Sequence, residues 1–282
     1  MNDKNLARSL NLESLAPEDR YSLNEALQHV RSSMEPLRET ARSFGDALRA
    51  MHPGLGSLLE STSRWARFDE MLHGVSKALA IEQIHMRDRL RTLVHAGWFI
   101  DPEMPLTLVR NLAEALEDGE ENSAEQVLLQ YYRTSGSATL ERVCRQSPGR
   151  AGIIKQAYLA HEQGKYALSV PVFLMQADGI ADDVHKGRQL FSKAVRRSVG
   201  ALASEHEVGS DEWVYLSVYA EDSPLVKNTK DLGPGFDGLN RHGVLHGTDL
   251  TYCTEVNSLR ALSALGYAAF VLLPEVESLN DA

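Results

Sequence analysis

The stretch LNRHGVLHGTD, residues 239–249, places Arg241 directly before His242, sets His246 four positions beyond that histidine, and interleaves Gly243 and Gly247 at the same spacing. At roughly 100° per residue, positions four apart on an α-helix lie about 40° from each other. His242 and His246 would therefore share one face, and the two glycines another. Three different chemistries fit that geometry.

The first is metal binding, because a histidine pair of this kind is half of a helical zinc site. The zinc-protease pattern, however, needs glutamate directly after the first histidine as general base, and Gly243 stands there. A third ligand is also required and no second histidine pair offers one, so no metal is expected. The second is structural: a histidine near a helix end hydrogen-bonds a carbonyl or faces water, and Arg241 joins an ordinary ion pair. The third is acid–base chemistry without metal. Histidine, with an unperturbed pKa of about 6.5, moves protons near neutrality, and arginine presents a permanently cationic fork that matches phosphate oxygens. Together they suffice to cleave RNA through its own 2′-hydroxyl: a base takes the hydroxyl proton, the oxygen attacks phosphorus, and the cation stabilises the gathering charge. DNA lacks that nucleophile. Gly243 and Gly247 each cost about 1 kcal/mol of helix propensity relative to alanine. Either a helix, a second subunit or a substrate backbone comes close at that strip, or the segment is a short helix that Gly247 ends.

Of the 282 residues, 43% are apolar and 24% charged, the composition of a globular protein with a core rather than a disordered chain. There is no basic start followed by an apolar run and no apolar stretch of membrane-spanning length, so neither a signal peptide nor a membrane span is expected, and the expected location is cytoplasmic. Cys144 and Cys253 are the only cysteines, too few for a thiolate zinc site, and read as buried free thiols. A net charge of −10 argues against a protein coated in basic surface. The charge is uneven, though: KGRQLFSKAVRRSVGALAS, 186–204, holds Lys186, Arg188, Lys193, Arg196 and Arg197 and no acid. It is either a solvated basic helix face or a local track for phosphates, with Lys193, Arg196 and Arg197 as the RNA contacts.

Helical periodicity runs through the chain, and an all-α fold is expected. From Ser22, which forms a capping box with Glu25, apolar residues recur at Leu23, Leu27, Val30, Met34 and Leu37. GWFIDPEMP, 97–105, interrupts the helices; PLTLVRNLAEALEDG restarts them, with Gly119 as the stop. RTSGSATLERVCRQSPGR, 133–150, is small, polar and basic, and reads as a domain boundary or exposed connection. That divides the chain into a helical N-terminal region, 1–145, of unknown role and a bundle over 150–275. Within the bundle a helix is expected over about 150–163, stopped by Gly164, and another across KYALSVPVFLMQADGIADDVHKG, where Pro171 is tolerated near the first turns or marks a kink. A third follows through the basic segment. Residues 211–238 read as a long connection, before a closing pair at 239–247 and 254–273.

Arg241, four intervening residues and His246, with the polar His242 directly after the arginine, resemble the Arg-polar-x3-His motif of HEPN domains, which are helical bundles. EQGKYALSVPVFLMQADGIADDV is similar to the earlier helix pair of such bundles, and NRHGVLHGTDLTYCTEVNSLRALSALGYAAFVL to their closing pair. The resemblance covers roughly 150–275; residues 1 to about 145 carry no part of it. Many HEPN proteins are metal-independent ribonucleases that act as toxins or antiviral effectors.

The resemblance implies an HEPN-like bundle of four to five helices that cuts RNA without a cofactor. In it Arg241 would be the phosphate-binding, transition-state-stabilising cation, His246 the catalytic base or acid, and His242 the polar companion that orients a substrate or the other two. Asn240 would cap the helix or touch the site, and Asp178, in QADG on the earlier helix, would be the acidic partner or an exposed acid paired across the bundle. A homodimer that brings two motifs together is implied as well, with an antitoxin or regulatory partner. Some members carry a tyrosine two residues after the histidine, where a nucleotidyltransferase modifies them; Thr248 stands there and the nearest tyrosine is Tyr252, a departure from that arrangement. The alternative expectation is a noncatalytic helical module that binds nucleotides, RNA or proteins, although such members often lose the arginine or histidine that this chain keeps.

Overall fold

The computed structural model describes residues 81–185, 199–201, 203–206, 210–219, 223–233 and 235–273. Among these the fold is helical and contains no strand, and no helix is long and apolar enough to cross a membrane. The helices read before residue 81, with the capping box at Ser22 and Glu25, lie outside the described residues, as do Lys193, Arg196 and Arg197. The chain divides into two compact units, Met1–His85 with His206–Val214, and Met86–Glu205 with Tyr215–Ala282. The RHGVLH motif belongs to the second.

After helical turns over 81–95 come α1 (Leu106–Glu117), α2 (Glu121–Gln146) and α3 (Ala151–Glu162), with a 3-10 turn at Pro148–Arg150 between the last two. Gly119 and Gly164 stop α1 and α3 as expected, at φ 79° and 69°. α4 (Tyr166–His185) runs through Pro171 without ending. A proline leaves the carbonyl four residues back without its helical donor. That carbonyl, Ala167 O, instead accepts from the Tyr252 hydroxyl at 3.1 Å.

The connection expected over 211–238 begins as a helix, α5 (Asp211–Tyr219). Its buried residues include Trp213, Val214, Leu216 and Val218, in a helix too short for a period to register in a sequence reading. The rest is irregular apart from a 3-10 turn at Thr229–Asp231. The closing pair forms close to its expected bounds, as α6 (Arg241–Leu245) and α7 (Glu255–Leu272).

α7 is buried at every position from Asn257 to Ala269 except Arg260. A helix apolar on all sides needs neighbours all round, and α4 and α2 both pack against it. Close approach to α2 depends on small side chains: a β-carbon on Gly266 would lie 2.6 Å from Thr139 Cγ2, and one on Gly136 would lie 3.3 Å from Leu262 Cδ2. RTSGSATLERVCRQSPGR is therefore not an exposed connection; it is helical to Gln146, with Gly136, Thr139, Val143 and Cys144 buried. Residues on both sides of 145 share this core.

GWFID, which breaks the helices, is buried as a knot between them. Asp101 is only 6% exposed, and a buried carboxylate must be matched. It accepts from Thr139 Oγ1 at 2.8 Å, Arg142 Nη2 at 2.6 Å and the Glu103 N–H at 2.9 Å. Tyr132 stacks on Trp98 with ring centres 5.5 Å apart, donates to Phe99 O and accepts from the Asp101 N–H at 3.1 Å. Burial, reinforced by the neighbouring Asp101, pushes the Tyr132 hydroxyl well above the ordinary phenol range.

Two glycine substitutions should shift stability in opposite directions. Gly266→Ala overpacks against Thr139 and should cost about 1–3 kcal/mol, although alanine is the better helix former by about 1 kcal/mol. Gly152→Ala, in α3 with nothing within 4 Å of the added carbon, should stabilise by about 0.4–1 kcal/mol. Thermal midpoints followed by circular dichroism check this, and midpoints moving the same way would contradict the close α2–α7 packing.

Candidate functional site

A five-residue helix does not persist on its own, so α6 is held by its ends. Asn240 is 3% exposed; its Oδ1 accepts from the Gly243 N–H at 2.9 Å, and its Nδ2 donates to Pro224 O at 2.8 Å and Lys227 O at 2.9 Å. Of its two expected roles the geometry is that of the cap, and the same side chain staples the preceding loop. The Arg241 N–H adds a bond to Leu225 O at 3.0 Å.

At the other end Gly247, at φ 67°, donates to Val244 O at 3.1 Å, while the N–H groups of Thr248 and Asp249 both reach Gly243 O, at 2.9 and 3.0 Å. This is a Schellman closure, which favours glycine at the left-handed position. A β-carbon on Gly243 would meet Asp249 Cβ at 3.0 Å. Both glycines are thus accounted for by the chain folding back on a short helix, the second of the two explanations offered by the sequence.

The motif side chains separate into two groups. Arg241 Nη2 donates to Asp178 Oδ2 on α4 at 3.2 Å, and the two side chains are only 12% and 14% exposed. Asp178 is thus paired across the bundle, but it is not the exposed acid considered as one expectation. His242 is half-buried and His246 exposed; their rings lie nearly parallel, centres 5.7 Å apart. At about 100° per residue Arg241 and His246 sit roughly 140° apart around α6. The structure therefore brings Arg241 to Asp178 and His242 to His246, on different sides of one helix.

Two features escaped the sequence reading. A cavity of about 420 Å³ opens on the Gly243 side of α6, between the glycine-rich loop 233–238 and residues 248–251. Another, of about 870 Å³, is lined by Trp98, Glu125, Asn257 and Arg260. There Arg260 Nη2 donates to Glu125 Oε1 at 2.6 Å and the guanidinium carbon lies 5.5 Å from the Trp98 ring centre. Burial pulls the Arg260 pKa down, against the carboxylates of Glu125 and Asp237. The clustered glycines of GPGFDG were the available signal for the smaller cavity; the larger shares Phe236, Asp237 and Thr251 with it, but its other walls come from distant segments.

A polar chain crosses the core beside these. His161 Nδ1 lies 2.9 Å from Ser258 Oγ, which lies 2.7 Å from Ser169 Oγ, and both serines are fully buried. The cysteines differ from expectation: Cys144 is buried, but Cys253, in the turn leading into α7, is exposed. No protein-family model, curated protein or solved structure matches the chain.

Desolvation pushes His161 below its ordinary pKa of 6.5, opposed by Glu255 and Glu162. The unfolded chain then takes up the proton first as pH falls. The stability that neutral His161 contributes is fully present above about pH 6.5 and is lost as pH drops from there through the folded value. Urea midpoints should fall over that window more steeply for the wild type than for His161→Gln. Equal slopes would assign the acid sensitivity to other groups.

Proposed function

We propose that the second unit is a metal-independent endoribonuclease of HEPN type, with RNA as substrate. The observation that carries this is the paired His242 and His246 rings at the surface of a capped helix that also bears Arg241. His246, exposed, takes the 2′-hydroxyl proton; the 2′-oxygen bonds to phosphorus as the bond to the 5′-oxygen breaks. The proton that the departing oxygen needs comes from the same histidine pair, within which His242 orients His246. The products are a 2′,3′-cyclic phosphate and a 5′-hydroxyl. Arg241 stabilises the phosphoryl charge, which requires its guanidinium to serve the phosphate and Asp178 together or to exchange one for the other. Lys193, Arg196 and Arg197 supply further phosphate contacts. In this proposal the enzyme is a cytoplasmic toxin or antiviral effector that pairs its motifs in a homodimer and is held in check by an antitoxin or regulatory partner.

A second reading has an observation in its favour. Arg241 is largely buried and already paired, which suits a noncatalytic helical module in which the motif is structural and nucleotides, RNA or proteins are bound without being cut.

Incubation of the full chain with mixed RNA in EDTA separates the two. The wild type should yield cyclic-phosphate ends, and His246→Ala should be slower by about 10² to 10⁴ fold with an unchanged thermal midpoint, because the residue is exposed. Arg241→Ala also removes the cation facing Asp178, so it is compared with Arg241→Ala/Asp178→Asn, which should recover stability without recovering cleavage. Equal cleavage by wild type and His246→Ala would sink the catalytic reading, and inhibition by EDTA would return metal to consideration.

A further inference from the structure

We propose that the cavity beside α6 is a base-recognition pocket selective for guanine, an inference that rests on the ribonuclease reading for its setting and on the cavity's own chemistry for its selectivity. The cavity of about 420 Å³ lies against Gly243, one turn of chain from His246, and its far wall is the loop carrying Phe236 and Asp237. Single-stranded RNA is read by splaying a base out, packing it on an aromatic ring and bonding its edge. Phe236 is 39% exposed, and the tip of its ring lies 2.7 Å from where a β-carbon on Gly238 would be. Only glycine at 238 leaves the ring in that place.

The polar groups around the cavity are unequal. Asn240 spends both ends of its amide on the cap and loop. Asp249 Oδ1 is taken by the Thr251 N–H at 2.7 Å and hydroxyl at 2.8 Å. Asp237 is the exposed carboxylate on this wall, at the border with the larger cavity and within electrostatic reach of Arg260, and an ionised carboxylate only accepts hydrogen bonds. Guanine alone among the four bases presents two adjacent donors on its pairing edge, N1–H and the 2-amino group. Adenine and cytosine place a ring acceptor beside their amino group, and uracil flanks its single donor with two carbonyls. A carboxylate therefore bonds guanine twice and meets repulsion from each of the others. A bidentate base contact discriminates by roughly tenfold to a hundredfold.

Two measurements on the full chain decide this. The ends produced from mixed RNA are sequenced for wild type and Asp237→Asn, and binding of guanosine, inosine and adenosine 3′-monophosphates is titrated on His246→Ala. Cleavage next to guanosine in the wild type, with the rate at guanosine sites falling about tenfold or more in Asp237→Asn so that base usage becomes roughly even, supports the pocket. So does binding of the guanosine nucleotide about tenfold or more over inosine, which lacks the 2-amino group, provided Asp237→Asn removes the difference. If the wild type cuts no RNA but this selective binding holds, the ribonuclease reading fails and the pocket stands. Cleavage without base preference, preference retained in Asp237→Asn, or equal binding of the three nucleotides overturns the pocket. Both loop side chains are exposed, and unchanged circular dichroism of Asp237→Asn confirms that lost selectivity is not lost fold.

Discussion

The burial of α7 is the constraint from which the second unit is built. From Asn257 to Ala269 almost every side chain is withdrawn from water, so one neighbour is not enough. α4 supplies one wall and α2 another. α2 comes near enough because Thr139 meets Gly266 and Gly136 meets Leu262 with no bulk between them. Asp101 then fixes α2 from outside that contact, gripping Thr139 and Arg142. The aromatic knot around Trp98 and Tyr132 follows from the same requirement, since the segment entering the core carries backbone groups that must be bonded there.

The motif inherits its position from that core. α6 has too few residues to form by propensity, and its register is set by the Asn240 cap, the Arg241 bond to Leu225 and the Gly247 closure. Those bonds decide which way each side chain leaves the helix. Arg241 is turned to α4 and Asp178, while His246 is turned to water with the half-buried His242 stacked beside it. Even Tyr252, which follows the motif, is tied to the exposed first turn of α4 through the carbonyl that Pro171 leaves without a helical donor.

Electrostatics divides the functional readings. A cation this enclosed is costly unless it is matched by a counterion, and Asp178 provides one. The same pairing can orient a catalytic cation toward phosphate or retain a structural one. The histidines carry no such ambiguity of access, because His246 is exposed. On the proposed reading, therefore, the histidine side of α6 is the more accessible to a substrate, and Gly243 of the same helix lines the smaller cavity.

Local information in the sequence determined the elements whose signals are local. Glycine stops at Gly119 and Gly164, the helix through Pro171 and the closing pair around 239–273 were legible because backbone chirality and side-chain period act over a few residues. So was the cap at Asn240. The helix at 133–146 was not, because small residues mark a connection when read alone and a tight helix contact when Leu262 and Gly266 lie opposite. α5 was missed because it is too short for its buried positions, Trp213, Val214, Leu216 and Val218, to register as a period. The spacing of four already put His242 beside His246, but tertiary structure alone decided that the Arg241–Asp178 pair is enclosed rather than exposed, and that Phe236 and Asp237 line a cavity on the Gly243 side of α6. Those outcomes depend on where distant segments meet once α7 has been enclosed, and no spacing along the chain encodes that meeting.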